Sequence, residues 1–279
     1  MTLLPKRSNL SASAADASSG LSLKTLLAFI VAGLLCMLLT ILAFAPAVWL
    51  SALLEYQTEG RFALGDAQGS IWNGSAFIGV AANKNAELTP LLPGRFVWHV
   101  SPILLLGQIE LNCENSAALL QPLNITGNLH HIQINPGGLL LPAERLSGLG
   151  APLNTLRPAG EVTLSWNVLA LTLVDGKAEV EGSMKLSMQN MASALSPVKP
   201  LGSYEMAMLW HGQKATLELK TLQGPMLLSG RGALNEGHLH FSGQAEAAQG
   251  QEDRLANLLN LLGQRRNGTD KNVIALEFN

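Results

Sequence analysis

Between Lys24 and Glu55 the chain carries no charged residue, and Leu26–Ala45 (LLAFIVAGLLCMLLTILAFA) is almost wholly apolar. A run of about 20 such residues, at 1.5 Å rise each, is long enough to cross a hydrocarbon core of about 30 Å. In lipid the backbone polar groups must be satisfied within the segment, so the run has to be a helix. A secretory signal is the competing assignment: Lys6, Arg7 and Lys24 make a basic flank, and Ala43-Phe44-Ala45 has a small-x-small cleavage pattern. The run exceeds the roughly 7–15 residues of a signal core, and Pro46 sits where it obstructs cleavage, so the sequence predicts a retained anchor.

Positive charge sets the expected orientation. Lys6, Arg7 and Lys24 precede the run, whereas Glu55 and then Arg61 follow it. The bias keeps the N-terminus in the cytoplasm and sends the rest of the chain across. We therefore expect a disordered cytoplasmic tail over residues 1–24, rich in Ser and Ala, and a transmembrane helix over 25–46. An exported domain then occupies 47–279. Pro46 is expected to end or kink the helix, with Trp49 and Tyr56 at headgroup level.

Three bases against one acid give residues 1–54 a formal +2, so the −2 of the whole chain leaves −4 for the remainder. A mildly acidic surface without a basic stripe argues against nucleic acid as a partner. Of the two cysteines, Cys36 lies in the apolar run and Cys113 in the exported part, so no disulfide between them is expected.

Beyond the anchor the pattern has period two. Residues 108–112 (QIELN), 160–166 (GEVTLSW), 177–182 (KAEVEG), 216–220 (TLELK) and 237–242 (GHLHFS) alternate polar and apolar. Alternation marks strands with one wet and one dry face. Turn residues separate them, as at Asp175-Gly176, Trp210-His211-Gly212 and Asn235-Glu236-Gly237. The expectation is a mainly β domain, built as one large antiparallel, curved sheet or as a sandwich. Two similar halves, about 60–150 and 160–279, are a further expectation, with Trp72-Asn73 and Trp166-Asn167 as related positions. Residues 193–201 (SALSPVKPL) read as a loop, and 254–262 (RLANLLNLL) as a short helix stopped by Gly263.

Catalytic constellations are missing. His238 and His240 fall on one face of a strand, but no third metal ligand has recognisable spacing. Ser229 and Ser147 lack the glycine two places earlier that a nucleophile elbow needs, and no phosphate loop or dinucleotide fingerprint occurs. Asp66 and Glu87 are isolated carboxylates. We therefore expect no enzyme, no cofactor, no metal and no small-molecule substrate. The distinctive stretch is Asp66–Ala76 (DAQGSIWNGSA), where Gly69 and Gly74 bracket a turn around Trp72. These three residues are the expected structural motif, a hairpin whose tryptophan caps one end of the core.

Four blocks carry a resemblance. They are the anchor followed by PAVWL (46–50), the run LGDAQGSIWNGSA (64–76), LSPVKPLGSY (195–204), and a tail from LQGPMLLSG (222–230) through FSG (241–243) to LLNLLG (258–263). With these blocks the sequence resembles the type II secretion system protein N family of Gram-negative bacteria. The resemblance implies an inner-membrane-anchored, periplasm-facing structural component of the machine that exports folded proteins across the outer membrane. It implies the other inner-membrane platform proteins and inner-membrane lipids as partners, and it transfers no catalytic residue. A looser likeness of architecture is to AsmA-like proteins, which implies the alternative of a periplasmic protein handling lipids or other hydrophobic ligands.

Overall fold

A computed structural model describes residues 22–81, 89–150, 153–174, 176–235, 237–262, 264–265 and 273–278. The expected tail falls almost wholly outside these residues, as do Glu87, Asp175, Glu236 and Gly263. The chain divides into two compact units, Met1–Phe44 and Ala45–Asn279. In the first, α1 spans Leu23–Ala43 and is long and apolar enough to cross a membrane. Ser22 caps it, its hydroxyl accepting from the Thr25 N–H at 3.4 Å. Thr40 returns its hydroxyl proton to the Cys36 carbonyl at 2.8 Å, which hides the hydroxyl's polarity within the apolar run. The helix ends three residues before Pro46, which belongs to the second unit.

The second unit opens with α2, Val48–Gln57. A first group of strands follows: β1 Phe62–Gly69, β2 Asn73–Val80, β3 Thr89–Pro90, β4 Phe96–Val100, β5 Gln108–Glu114 and β6 Leu123–Asn128. Then come β7 His131–Ile134, β8 Gly137–Pro142, the single turn α3 Leu153–Leu156, β9 Pro158–Trp166, β10 Leu169–Val174 and β11 Lys177–Ser193. The last group is β12 Gly202–Gly212, β13 Lys214–Gln223, β14 Met226–Asn235, β15 His238–Ala247, α4 Glu252–Leu262, β16 Gln264–Arg265 and β17 Val273–Phe278.

All these strands join one antiparallel sheet. Of the two arrangements allowed by alternation, the described strands thus take the single sheet. Its path is a meander. Strand β7 pairs with β10 and β8 with β9, while β11 carries both β9 and β10 along one edge and β12 along the other. Four of the five alternating segments lie in strands β5, β9, β11 and β13, and the fifth enters β15 after Gly237. The loop read over 193–201 follows the end of β11, and the predicted helix starts two residues early, at Glu252. Tight connections explain the regular hairpins: Val174 pairs with Lys177, His211 with Lys214 and Asn235 with His238.

The outer edge of β1 is closed by the segment before it. Ser51 on α2 is buried, and its Oγ accepts from the Leu64 N–H at 3.3 Å and lies 3.0 Å from the Leu64 carbonyl. The Thr58 hydroxyl does the same for Phe62, at 3.1 and 3.2 Å. Ala47 N–H donates to the Gly69 carbonyl and Ile71 N–H to that of Ala45. Backbone groups that another strand would otherwise recruit are thereby occupied.

Two clusters cover the ends of the dry face. At one, α4 presents Leu255, Leu258 and Leu259 at the i, i+3, i+4 spacing of a helix face, and all three are buried. They pack with Phe241, Ala245 and Ile274 of the sheet and with Val198 and Leu201 of the loop. At the other, Leu92, Phe96 and Ala118 pack with Leu139 and Leu141. Buried Asn115 fixes that segment: its amide donates to the Pro93 carbonyl at 2.9 Å and accepts from the Ala117 and Ala118 N–H groups. Leu255→Ala is expected to cost about 2–5 kcal/mol, the range for emptying a buried leucine site. Leu261→Ala, at 65 % exposure, should stay within about 0.5 kcal/mol. Denaturant midpoints of the full chain in detergent check both.

Candidate functional site

The sheet sorts its side chains by chemistry. Residues directly opposite on neighbouring strands share a face. The sequence Leu139, Leu164, Leu186, Met206 and Leu219 runs opposite to opposite across β8, β9, β11, β12 and β13. A second row on the same face runs Trp166, Met184, Met208 and Leu217. Under α4 the face is buried, as at Leu219, Phe241 and Ala245; between the two clusters Leu164, Leu186, Met206, Met208 and Leu217 are only half-buried. Trp210 lies on this face too, and its indole N–H is the one buried side-chain polar atom without a hydrogen-bond partner among the described residues.

The other face is ionic. Glu205 sits between Lys220 at 2.9 Å and Lys185 at 3.6 Å, and Glu218 lies 3.6 Å from Arg231. The Lys220 hydrogen bond, then its charge and that of Lys185, hold the Glu205 carboxyl below the usual glutamate range. Arg95 pairs with Asp66, donates to the Asp66 carbonyl at 2.9 Å and the Ser75 hydroxyl at 3.0 Å, and stacks 4.5 Å from the Phe77 ring centre. Asp66, isolated in sequence, is therefore half of an ion pair that buttresses a bulge in β1.

The expected motif of Gly69, Trp72 and Gly74 lies together at the β1–β2 turn, where Gly69 pairs with Gly74. Gly69 holds φ +82°, and a Cβ there would meet the Asn73 carbonyl oxygen at 2.4 Å. A Cβ on Gly74 would stand 2.4 Å from the Trp98 ring. Trp72 is buried at 8 % exposure, and its carbonyl accepts from Val100 N–H at 2.7 Å, which ties the turn to β4. Trp98 packs against Gly74 and donates its indole N–H to the Ile71 carbonyl at 3.2 Å. Trp166 repeats this device across Gly137, donating to the Asn135 carbonyl at 2.8 Å. The tryptophan that matches Trp166 in setting is thus Trp98, because the match depends on a glycine in the neighbouring strand.

Around this turn lies a pocket of about 370 Å³. Leu50 of α2, Ile71 and Trp72 of the turn, Trp98 of β4, and Leu111 and Cys113 of β5 form its walls. No charged side chain lines it. Burial, and secondarily the neighbouring Glu114 charge, push the Cys113 thiol above its ordinary range. Sequence reasoning found Trp72 here but missed Trp98 and Cys113. The sequence signal was slight: in 96–100 (FVWHV) only His99 is polar, and the alternation that puts Trp98 on the dry face is one of burial. Among the described residues no group of three His, Cys, Asp or Glu side chains is placed to hold a metal, and His238 and His240 are exposed on β15.

The family model for type II secretion system protein N matches residues 60–273. The chain belongs to the type II secretion system protein N family. No curated protein and no solved structure matches it. The protein N match takes in β1 to the first residue of β17, so the sheet with both faces and most of the pocket is the family's region. Helices α1 and α2 precede it.

Two predictions follow from this geometry. Gly74→Ala is expected to destabilise by about 1–3 kcal/mol through overpacking and to shift tryptophan emission to the red as Trp98 lifts from its seat. Thermal melts and fluorescence of the variant check it. In a Cys36→Ala chain, Cys113 should react with maleimide more slowly than free cysteine at neutral pH. A raised thiol range means less thiolate there, so the rate should climb at higher pH than for the free amino acid.

Proposed function

We propose that this protein is a non-catalytic structural subunit of the bacterial type II secretion system, held in the inner membrane by α1 with its sheet domain in the periplasm. The observation that carries this reading is the protein N match over 60–273, joined to one apolar helix with basic residues on its N-terminal side. Its partners on this reading are the other inner-membrane platform proteins. The edge of β1 is occupied by Ser51, Thr58 and the 45–47 segment, so strand addition at that edge is disfavoured. The ionic face offers a contact surface, with Glu205, Lys185 and Lys220 as charges for a partner to complement.

The half-buried dry face supports a second reading, in which the sheet accommodates hydrophobic ligands along Leu164, Leu186 and Met206. A contiguous apolar surface beyond a few hundred Å² is rare on a free soluble protein and marks contact with another apolar body.

A reporter enzyme active only outside the cytoplasm, fused after Asn279, is expected to be active. A well-expressed but inactive fusion would overturn the orientation. Deleting the gene should reduce the extracellular level of the system's exported proteins while they accumulate in the periplasm. Unchanged secretion in the deletion strain would refute the subunit role.

A further inference from the structure

We propose that the pocket walled by α2 and strands β1, β2, β4, β5 and β6 seats one acyl chain of a membrane phospholipid. The inference rests on the hydrophobic-ligand reading and narrows it to one site and one ligand class. Three observations carry it.

The first is the chemistry of the walls. Leu50, Ile71, Trp98, Leu111 and Cys113 offer hydrocarbon, ring faces and a thiol. The Trp98 indole N–H is already spent on the Ile71 carbonyl, so it is not free for a headgroup. With no charged or hydroxyl side chain in the lining, the part of any ligand that enters has to be apolar.

The second is capacity. At about 370 Å³ the cavity falls in the range of small-ligand sites, yet its walls are largely half-buried rather than sealed. Trp98 packs against Gly74 and donates to the Ile71 carbonyl, and these two contacts position its ring as one wall of the cavity.

The third is position along the chain, and it selects a membrane lipid over a free apolar solute. Leu50 lies seven residues after Ala43, the last residue of α1, so only a short stretch of chain separates the pocket wall from the apolar helix. About a quarter turn around α2 from Leu50, the helix displays Trp49, Leu53 and Tyr56, exposed at 55 %, 55 % and 83 %. Aromatic side chains of this kind collect at the membrane–water interface. One helix therefore turns an interfacial stripe outward and the wall of an acyl-sized pocket inward.

The test reconstitutes the full chain into vesicles of phosphatidylethanolamine and phosphatidylglycerol. These contain a phosphatidylethanolamine with a photoactivatable diazirine in one acyl chain, and crosslinked peptides are mapped by mass spectrometry. The expected result is labelling of Trp98, Leu111 or Cys113 alongside α1. Pocket labelling should fall at least fivefold in a Cys113→Trp variant, which fills the cavity with an apolar ring, while labelling of α1 stays constant as the internal reference. A Leu123→Trp variant, filling the same cavity from β6, should give the same loss, so one poorly folded variant does not decide the matter. Labelling confined to α1 and the outward stripe of α2 overturns the proposal. Labelling along Leu186 and Met206 without the pocket overturns the site and leaves the hydrophobic-ligand reading standing. A photoreactive residue at position 111 that captures a platform protein instead of lipid also overturns it, by giving the pocket a protein occupant.

Discussion

An antiparallel sheet with strict alternation concentrates all its apolar side chains on one face, and that face has to be covered by something. A second sheet is the common answer, since two dry faces then bury each other. Here the described strands join one sheet, and the cover comes from short pieces: α4 with the 194–201 loop at one end and the 91–93 and 115–120 segments at the other. Those pieces are too small for the area. Leu219 and Phe241 are buried, whereas Leu186 and Met208, also apolar and on the same face, are only half-buried. Much of what is distinctive about the molecule follows from this shortfall.

The two faces then acquire separate roles. Ion pairs across β11, β12 and β13 sit in water, where each is worth little to stability, and they give the ionic face a charge pattern that a partner can read. The dry face supplies an apolar surface and, at the β1–β6 end, a pocket with Trp98, seated on Gly74, as one wall. Meanwhile Ser51 of α2 and Thr58 just past its end settle the edge problem: their hydroxyls accept from the outward N–H groups of Leu64 and Phe62.

Much of the fold was legible along the chain because alternation and turn chemistry are local signals. Segments such as TLELK and GHLHFS announce both that a strand is present and which side is wet. The helix of α4 was legible for the same reason, through the spacing of Leu255, Leu258 and Leu259. The site was only partly so. Gly69, Trp72 and Gly74 stand within six residues and show themselves as a turn, but Trp98 and Cys113 come from strands 24 and 39 residues beyond Gly74. Their meeting depends on register, which sequence periodicity leaves free by steps of two. Trp72-Asn73 and Trp166-Asn167 are alike as strings, whereas the setting that Trp166 shares with Trp98 is a contact across strands.

The sequence by itself determined an apolar helix long enough to span a bilayer, a β-rich remainder with one wet and one dry face, and membership of the secretion family through blocks spread along the chain. These are set by composition and spacing, which act without knowing what lies opposite. Only the tertiary structure decided that the strands make one sheet, that its dry face stays half-covered, and that α2 both seals an edge and walls a pocket. Those outcomes depend on which strand pairs with which and in what register. That is fixed by the summed packing of residues far apart in the chain and by no single segment.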